Sequence, residues 1–327
     1  MDRLTKLGYG ICVVALVAIA PVRMAIGQDG GYPNKPLRII VPFAPNGPND
    51  ILARLVGQKL TAAWKQQVIV DNRPGGGTVI GTELAARAAP DGYALLMVST
   101  STAVNPGLKK SLPYDTLKDF APVIELAASP NVLVVHPSLP VRSVRDLIRL
   151  AKARPDAINY ASGGTGTATH LAGALLCITG GVKMTHVPYK GAGPATIDLL
   201  SGEVSWMFGT ILPTLPHIKS GRLRAIGVSS EKRSAALPDV PAIAETLPGF
   251  EATSWYGIFA PAGTPRNSIA KLNAEIARIL QSPDVRDYLL RQGATPVGDT
   301  PEKFEAHFRE QIVKWGKVIK QAGITAN

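Results

Sequence analysis

Short apolar runs recur along the chain at 37–43, 68–70, 93–98, 132–135, 158–161, 184–187, 204–208, 223–228 and 256–260, with helical patterns between them. Between the first two runs, Ile51, Leu52, Leu55, Val56 and Leu60 share one helical face, and 144–150 and 171–178 read the same way. The runs are continuous rather than alternating. That implies burial on both faces, as in parallel sheets covered by helices, so the pattern predicts an α/β chain. Beyond Pro265 the character changes: Ile269, Leu272, Ile276 and Leu280 repeat at helical spacing, and 283–290 and 301–321 read as two more helices. With Pro265 and Pro301 near helix starts, this stretch is expected to form a helical cap packed onto one lobe. No internal repeat, heptad pattern or low-complexity segment interrupts the alternation.

Two polar loops rich in glycine and proline each sit between an apolar run and an amphipathic helix. The first reads Val41-Pro42-Phe43-Ala44-Pro45-Asn46-Gly47-Pro48-Asn49-Asp50, the second Tyr160-Ala161-Ser162-Gly163-Gly164-Thr165-Gly166-Thr167. A strand ending in glycines and small polar residues, with a helix starting at once, leaves unpaired backbone N–H groups and the positive end of a helix dipole facing outward. One such loop says little; two, with no catalytic signature between them, read as two jaws closing on one anionic ligand.

Positions 1–27 read as a removable export signal. Arg3 and Lys6 form a basic start, 8–20 is an apolar stretch too short to span a bilayer, and Ala25-Ile26-Gly27 is a small-x-small cleavage site. The expected mature chain starts near Gln28 in the periplasm. Cys12 lies inside the apolar stretch, misplaced for a lipidated N-terminus. Losing Arg3, Lys6, Arg23 and Asp2 lowers the formal charge from +11 to +9. Lysine and arginine are scattered and no aromatic-basic platform occurs, so the charge suits an anionic small molecule better than nucleic acid. Cys177 alone survives in the mature chain, which rules out an internal disulfide and reads as a small buried hydrophobe.

The remaining stretch, roughly 300 residues, is long enough for two lobes. Chain crossings are expected near 127–131 and 248–254, both rich in small residues and proline. This makes one discontinuous lobe from 28–128 plus 252–327 and a second from 129–251, joined by a pair of hinges.

Seven segments, in order, carry a family resemblance: Tyr32-Pro33-Asn34-Lys35-Pro36-Leu37-Arg38-Ile39-Ile40-Val41-Pro42-Phe43, Asp71-Asn72-Arg73-Pro74-Gly75, Pro90-Asp91-Gly92-Tyr93, Leu112-Pro113-Tyr114-Asp115 with Lys118-Asp119-Phe120, Tyr160-Ala161-Ser162-Gly163, His186-Val187-Pro188-Tyr189-Lys190-Gly191 and Ala260-Pro261-Ala262-Gly263-Thr264-Pro265. Together the chain resembles the substrate-binding proteins of tripartite tricarboxylate transporters, the Bug-type receptors, over essentially its whole mature length. The resemblance implies a type II, Venus-flytrap periplasmic binding fold that closes on a small organic anion, a mono- or dicarboxylate and in some cases an aromatic acid, and delivers it to membrane permease subunits. It implies no enzyme activity and no cofactor, with a monomer as the default state. Family members hold the carboxylate through backbone amides, hydroxyls and waters.

Carried onto this chain, the first loop would meet the anion around Phe43, Ala44, Asn46, Gly47 and Asn49, with Asp50 capping a helix that begins at Ile51. In the second loop Ser162, Gly163, Thr165, Gly166 and Thr167 would meet it from the other lobe, and Ser99, Thr100, Tyr189, Lys190, Gly191 and Thr210 complete the cleft. Two departures from the family pattern stand out. Pro48 removes one donor from the first loop, and Ser205 and Gly209 stand where Asp is frequent, which disfavours an amino-acid ligand and favours a purely anionic or aromatic acid.

Other chemistries have weaker footing. Gly164-Thr165-Gly166-Thr167-Ala168-Thr169 lacks the third glycine of a dinucleotide fingerprint. A serine hydrolase would use Ser162, His170 and Asp198, but no Gly-x-Ser-x-Gly elbow surrounds the serine, and His170 reads as a helix residue bonding nearby backbone. His136, His170, His186, His217 and His307 are dispersed, without metal-ligand spacing. Trp64, Trp206, Trp255 and Trp315 read as packing residues, with Trp206 and Trp255 near enough to the cleft to stack on an aromatic ligand. A sensory receptor presenting its closed form to a membrane signalling protein would use the same ligand chemistry and remains the alternative to transport.

Overall fold

The computed structural model describes residues 31–189 and 191–325, so the expected signal segment 1–27 and Lys190 lie outside the described residues. The chain begins with β1 (Leu37–Val41), α1 (Pro48–Trp64), β2 (Val68–Asn72), a 3-10 turn at Gly76–Thr78, α2 (Val79–Ala86), β3 (Ala94–Ser99), α3 (Thr100–Leu108) and β4 (Phe120–Ser129). It continues with β5 (Asn131–Val135), α4 (Val144–Ala153), β6 (Asn159–Ser162), α5 (Ala168–Gly180), β7 (Thr185–Pro188), α6 (Ala192–Ser201), β8 (Trp206–Thr210), α7 (Ile211–Lys219) and β9 (Arg224–Val228). It ends with β10 (Ser254–Pro261), α8 (Arg266–Gln281), α9 (Pro283–Arg291), β11 (Thr295–Pro296) and α10 (Pro301–Ala322).

The strands form two sheets, one of order β11-β4-β10-β3-β1-β2 and one of order β7-β6-β8-β5-β9. The architecture is a two-lobed α/β arrangement, one lobe around each sheet. Each sheet has a parallel centre, β2-β1-β3 in the first and β7-β6-β8 in the second. The expected α/β fold is present, with mixed sheets: β10 runs antiparallel to β3 and β4, and β5 antiparallel to β8 and β9. Continuous hydrophobicity reports helices on both faces, not strand direction. Strands that enter or leave a lobe at a crossing need no crossover helix, and so can run antiparallel.

The chain passes from the first sheet to the second between Ser129 and Asn131 and returns between Val228 and Ser254. A buried polar knot ties the two passages together. Asn131 N–H donates to Ser229 Oγ (2.8 Å), Ser229 Oγ–H to the Ala252 carbonyl (3.0 Å), and Asn131 Nδ2 to the same carbonyl (3.1 Å). In this way the turns where the sheets part keep their backbone groups satisfied without either sheet's ladder.

Three elements depart from the pattern reading. β4 is ten residues long although Pro122 and Glu125 interrupt its hydrophobicity; Pro122 sits opposite Phe259 at a register shift, where a missing donor does little harm. α7 forms despite Pro213 and Pro216. The C-terminal helix α10 packs on α3 and β4, and also reaches α5 of the other lobe, so it is not confined to one lobe. Trp206 and Trp255 are 0% and 1% exposed, Trp206 stacked on Tyr160 at 4.7 Å and Trp255 against Phe304 and Phe308. Both are core residues, although Trp255 borders a depression beside the crossings.

Candidate functional site

In an open α/β sheet, a crevice opens where successive connections leave to opposite sides. In the first sheet the chain goes from β1 to β2 on one flank and returns to β3 on the other. In the second it goes from β6 to β7 and returns to β8. Both switch points therefore lie at the carboxyl ends of β1 and β3 and of β6 and β8, where α1, α3, α5 and α7 begin. The two glycine loops are the β1–α1 and β6–α5 connections, so their anion-binding potential comes from the topology as much as from their composition.

The loops face each other across a chamber of about 470 Å³. Pro42, Phe43 and Ala44 line it from the first loop and Thr165, Gly166 and Thr167 from the second. Ser101, Asn105, Leu108 and Lys109 of α3 and its C-terminal cap, with Pro74, Gly75, Gly77 and Thr78, close the remaining wall. Among the described residues no carboxylate lines it. The seam is tight: a Cβ built at Gly166 would lie 2.4 Å from Leu108 Cδ2. On the other side of the first loop a second hollow, about 340 Å³, is lined by Asn46, Pro48, Ile51, Ser129, Thr210, Tyr256 and Tyr288 among others, again without a charged side chain. Ile51, 39% exposed despite its place on the apolar face of α1, is explained by this hollow. A larger depression, about 640 Å³, lies beside the crossings; its walls mix acids and bases, among them Glu125 paired with His307 and Glu251 paired with Lys314, and so lack the one-signed character of the chamber.

The first loop is held from beneath. α1 begins at Pro48 with Gly47 as N-cap, so Asp50 is not the cap of a helix starting at Ile51; it sits inside the first turn, 1% exposed. Its carboxylate accepts from Asn46 N–H (3.0 Å), Asn72 Nδ2 (2.9 Å) and Arg54 (3.0 Å). Burial alone would raise its pKa; the bonds from Arg54, Asn46 and Asn72 outweigh burial and hold it below the ordinary carboxylate range. Asn72 also donates to the Phe43 carbonyl (3.1 Å), so Asp50 anchors the loop from both ends. Asn49 is buried as well, and its Oδ1 has no hydrogen-bond partner among the described residues.

The second loop is held by its own hydroxyls. Thr167 caps α5, accepting from His170 N–H (3.4 Å) and donating to the Gly164 carbonyl (2.7 Å). Ser162 is 0% exposed, and its hydroxyl is engaged with His186 Nε2 (2.7 Å) and the Gly164 backbone (3.1 and 3.2 Å). The expectation that this hydroxyl meets the ligand gives way to a supporting role. His186 stacks on His170 at 3.7 Å, and Gly166 N–H donates to His170 Nδ1 (3.1 Å), which places any ring proton of neutral His170 on Nε2. Burial pushes His186 down to about 4; burial, with its neighbour's charge, pushes His170 down to about 3. The hydrolase constellation does not assemble. Ser162 pairs with His186 rather than His170, and Asp198 accepts from Tyr189 Oη (2.6 Å).

The other expected residues divide. Ser99 and Thr100 are buried at the start of α3, Ser99 in a capping box with Thr102 and Thr100 Oγ1 accepting from Trp255 N–H (3.4 Å); it is Ser101 that lines the chamber. Gly163 N–H donates to Thr169 Oγ1 (3.2 Å), and Gly191 N–H donates to the Gly163 carbonyl (3.1 Å), tying the start of α6 to the second loop. Gly209 has no room for a side chain, since a Cβ there would lie 2.6 Å from Thr214 Oγ1. Pattern reading missed the turn at 75–78, where Gly75, Gly76, Gly77 and Thr78 all have positive φ, and it missed Asn105 and Lys109. Thr78, β-branched at φ 80°, is a strained residue in the chamber wall, held by Asn105 Nδ2 donating to its Oγ1 (3.0 Å). Three consecutive glycines before a helix were the available signal.

The family model for the tripartite tricarboxylate transporter family receptor, TctC, covers residues 52–324. The chain belongs to this receptor family. Among relatives, the receptor is 39% identical over 310 residues to protein BugT of Bordetella pertussis, covering 94% of this chain and 95% of that one. It is 40% identical over 298 residues to a protein encoded in the tcbD-tcbE intergenic region of Pseudomonas sp. strain P51, covering 90% and 89%. Among solved structures it superposes on Rpa4515 of R. palustris with adipate, with a TM-score of 0.80 and 35% identity over 90% of this chain and 99% of that one. It also superposes on MatC of Rhodopseudomonas palustris with bound malate, with a TM-score of 0.75 and 32% identity over 88% and 100%. Among the described residues of the receptor, no helix is long and apolar enough to cross a membrane.

Proposed function

We propose that this receptor works in the periplasm, captures a small organic acid in the chamber between its two glycine loops, and hands it to the permease subunits of a tripartite tricarboxylate-type transporter without catalytic turnover. One observation carries the reading. Loops from two different sheets enclose a chamber whose walls, among the described residues, carry helix N-termini and one lysine and no acid. Such a space favours an anion twice, through the dipole ends and through the absence of a repelling carboxylate. Ligands of two relatives, adipate and malate, are of the same chemistry. The lobes 28–128 plus 252–327 and 129–251 would move about the crossings near Asn131 and Ala252, with the receptor acting as a monomer. Burial of Ser162 supports a binding role over hydrolysis, because no ester carbonyl can approach a hydroxyl with no exposed surface.

The test is a thermal-shift screen of mono- and dicarboxylates on the mature chain, followed by titration calorimetry on the acids that respond. A ligand at about 100 times its Kd should stabilise the folded state by about 2.7 kcal/mol, a shift of several degrees. Flat melting curves across the whole acid panel, alongside turnover of an ester panel that Ser162→Ala abolishes, would replace the receptor reading with the hydrolase.

A further inference from the structure

We propose that Lys109 is the residue that selects a dianion over a monoanion, its ammonium meeting the second carboxylate of a dicarboxylate whose first carboxylate is held at the second loop, where α5 begins behind its N-cap Thr167. The proposal rests on the assignment of the chamber as the ligand site. Lys109 is the only formally charged side chain among the described residues lining the chamber, and no ion pair engages it. It also borders a neighbouring depression that contains Asp115 and Asp119, yet both acids are occupied. Asp115 pairs with Lys118 (3.2 Å), and Asp119 Oδ2 accepts from Asp115 N–H (2.7 Å).

The lysine is positioned by backbone rather than by a counter-charge. Its stem crosses the 75–78 turn where Gly77 lacks a side chain; a Cβ at Gly77 would lie 3.5 Å from Nζ and 3.6 Å from Cε. Residue 109 is the C-cap of α3, its N–H bonded to the Asn105 carbonyl (2.9 Å), so its backbone is fixed to the helix that also carries Leu108 at the seam with Gly166. Lys109 is half-buried, and no acid lines the chamber beside it among the described residues, so the ammonium is open to a ligand. A monocarboxylate held at the second loop by the positive end of α5 leaves that charge unmet, whereas a dicarboxylate of suitable length meets both positive groups at once.

Calorimetry on wild type, Lys109→Met and Lys109→Arg, with straight-chain C4 to C8 dicarboxylates and the monocarboxylates of equal length, separates the possibilities. Methionine keeps an unbranched stem across Gly77 and removes the charge. Wild type should prefer the dicarboxylate. Lys109→Met should lose dicarboxylate affinity by about ten- to hundred-fold, the range of a lost charge-assisted hydrogen bond, and bind monocarboxylates within about two-fold of wild type. Lys109→Arg should retain most of the dicarboxylate preference. Equal losses for both acid classes, or no loss for either, overturn the role of Lys109 while leaving the carboxylate receptor standing. Failure of wild type to bind any acid of either class overturns both.

Discussion

Gly166 tests whether the two loops meet when a ligand is held. It has φ 79°, and a Cβ there would stand 2.4 Å from Leu108 Cδ2. Gly166→Ala therefore carries two separable costs. The left-handed backbone disfavours any L-residue by about 1–2 kcal/mol, and this acts whether the lobes are open or closed, so it appears in the melting temperature. The collision acts only where the loops touch. Leu108 is half-buried and its Cδ2 is the end of a flexible side chain, so it yields by leaving its rotamer, at about 0.5–1.5 kcal/mol. Charged to the closed form alone, that weakens binding by about two- to thirteen-fold. Calorimetry on wild type, Gly166→Ala, Leu108→Ala and the double variant, with an acid from the screen, forms a double-mutant cycle. The affinity loss from Gly166→Ala should shrink in the Leu108→Ala background, while its loss of melting temperature persists. If the losses add to within about 0.5 kcal/mol, Leu108 and Gly166 are apart in the bound form and the seam does not govern closure.

Asp50→Ala removes the acceptor of Asn46 N–H and of one Asn72 Nδ2 hydrogen, at about 0.5–1.5 kcal/mol for each partly buried bond lost, and should lower the melting temperature and ligand affinity together; an affinity unchanged in folded protein refutes its part in shaping the first loop. The stacked pair at His170 and His186 sets an acid limit. Both folded pKa values, about 3 and about 4, lie below the ordinary 6.5, so the unfolded chain takes up protons first; the stabilisation is present above pH 6.5 and is lost as pH falls towards 4 and 3. For buried His170 the slope approaches about 1.4 kcal/mol per pH unit, and for the more open His186 it is smaller. Melting curves between pH 7.5 and 4.5 should fall less steeply for His170→Asn, which keeps an acceptor for Gly166 N–H; parallel slopes would show that the pair does not control acid stability.

The strands were legible because burial on both faces writes itself as an unbroken apolar run, and nine such runs became nine strands with ends shifted by one or two residues. Direction was not legible, since a run carries no mark of which neighbour it will pair with. β4 was hidden by Glu125, which is tolerable in a strand only because His307, 182 residues away, reaches it at 2.6 Å. The same distance in sequence explains Ser162. A hydroxyl beside glycines resembles a ligand contact, and only the fold reveals that His186 on the adjacent strand already holds it. Backbone chemistry is local and could be read, whereas the partners of side chains are not local and could not.

That division also explains which part of the candidate site could be found. The loops were visible because glycines and a following helix sit side by side in sequence, and the sheet order then carries both loops to switch points. Lys109 was invisible because nothing within its own segment distinguishes it from Lys110. It differs in being half-buried and in lining the chamber, beside Gly77 and at the turn that ends α3. A general capacity for anions can thus reside in local backbone signals, while the choice among anions rests on one side chain delivered from elsewhere in the fold. On this reasoning, receptors with the same two loops should differ in ligand charge according to what their third wall presents, and exchanging residue 109 should alter selectivity without disturbing the loops.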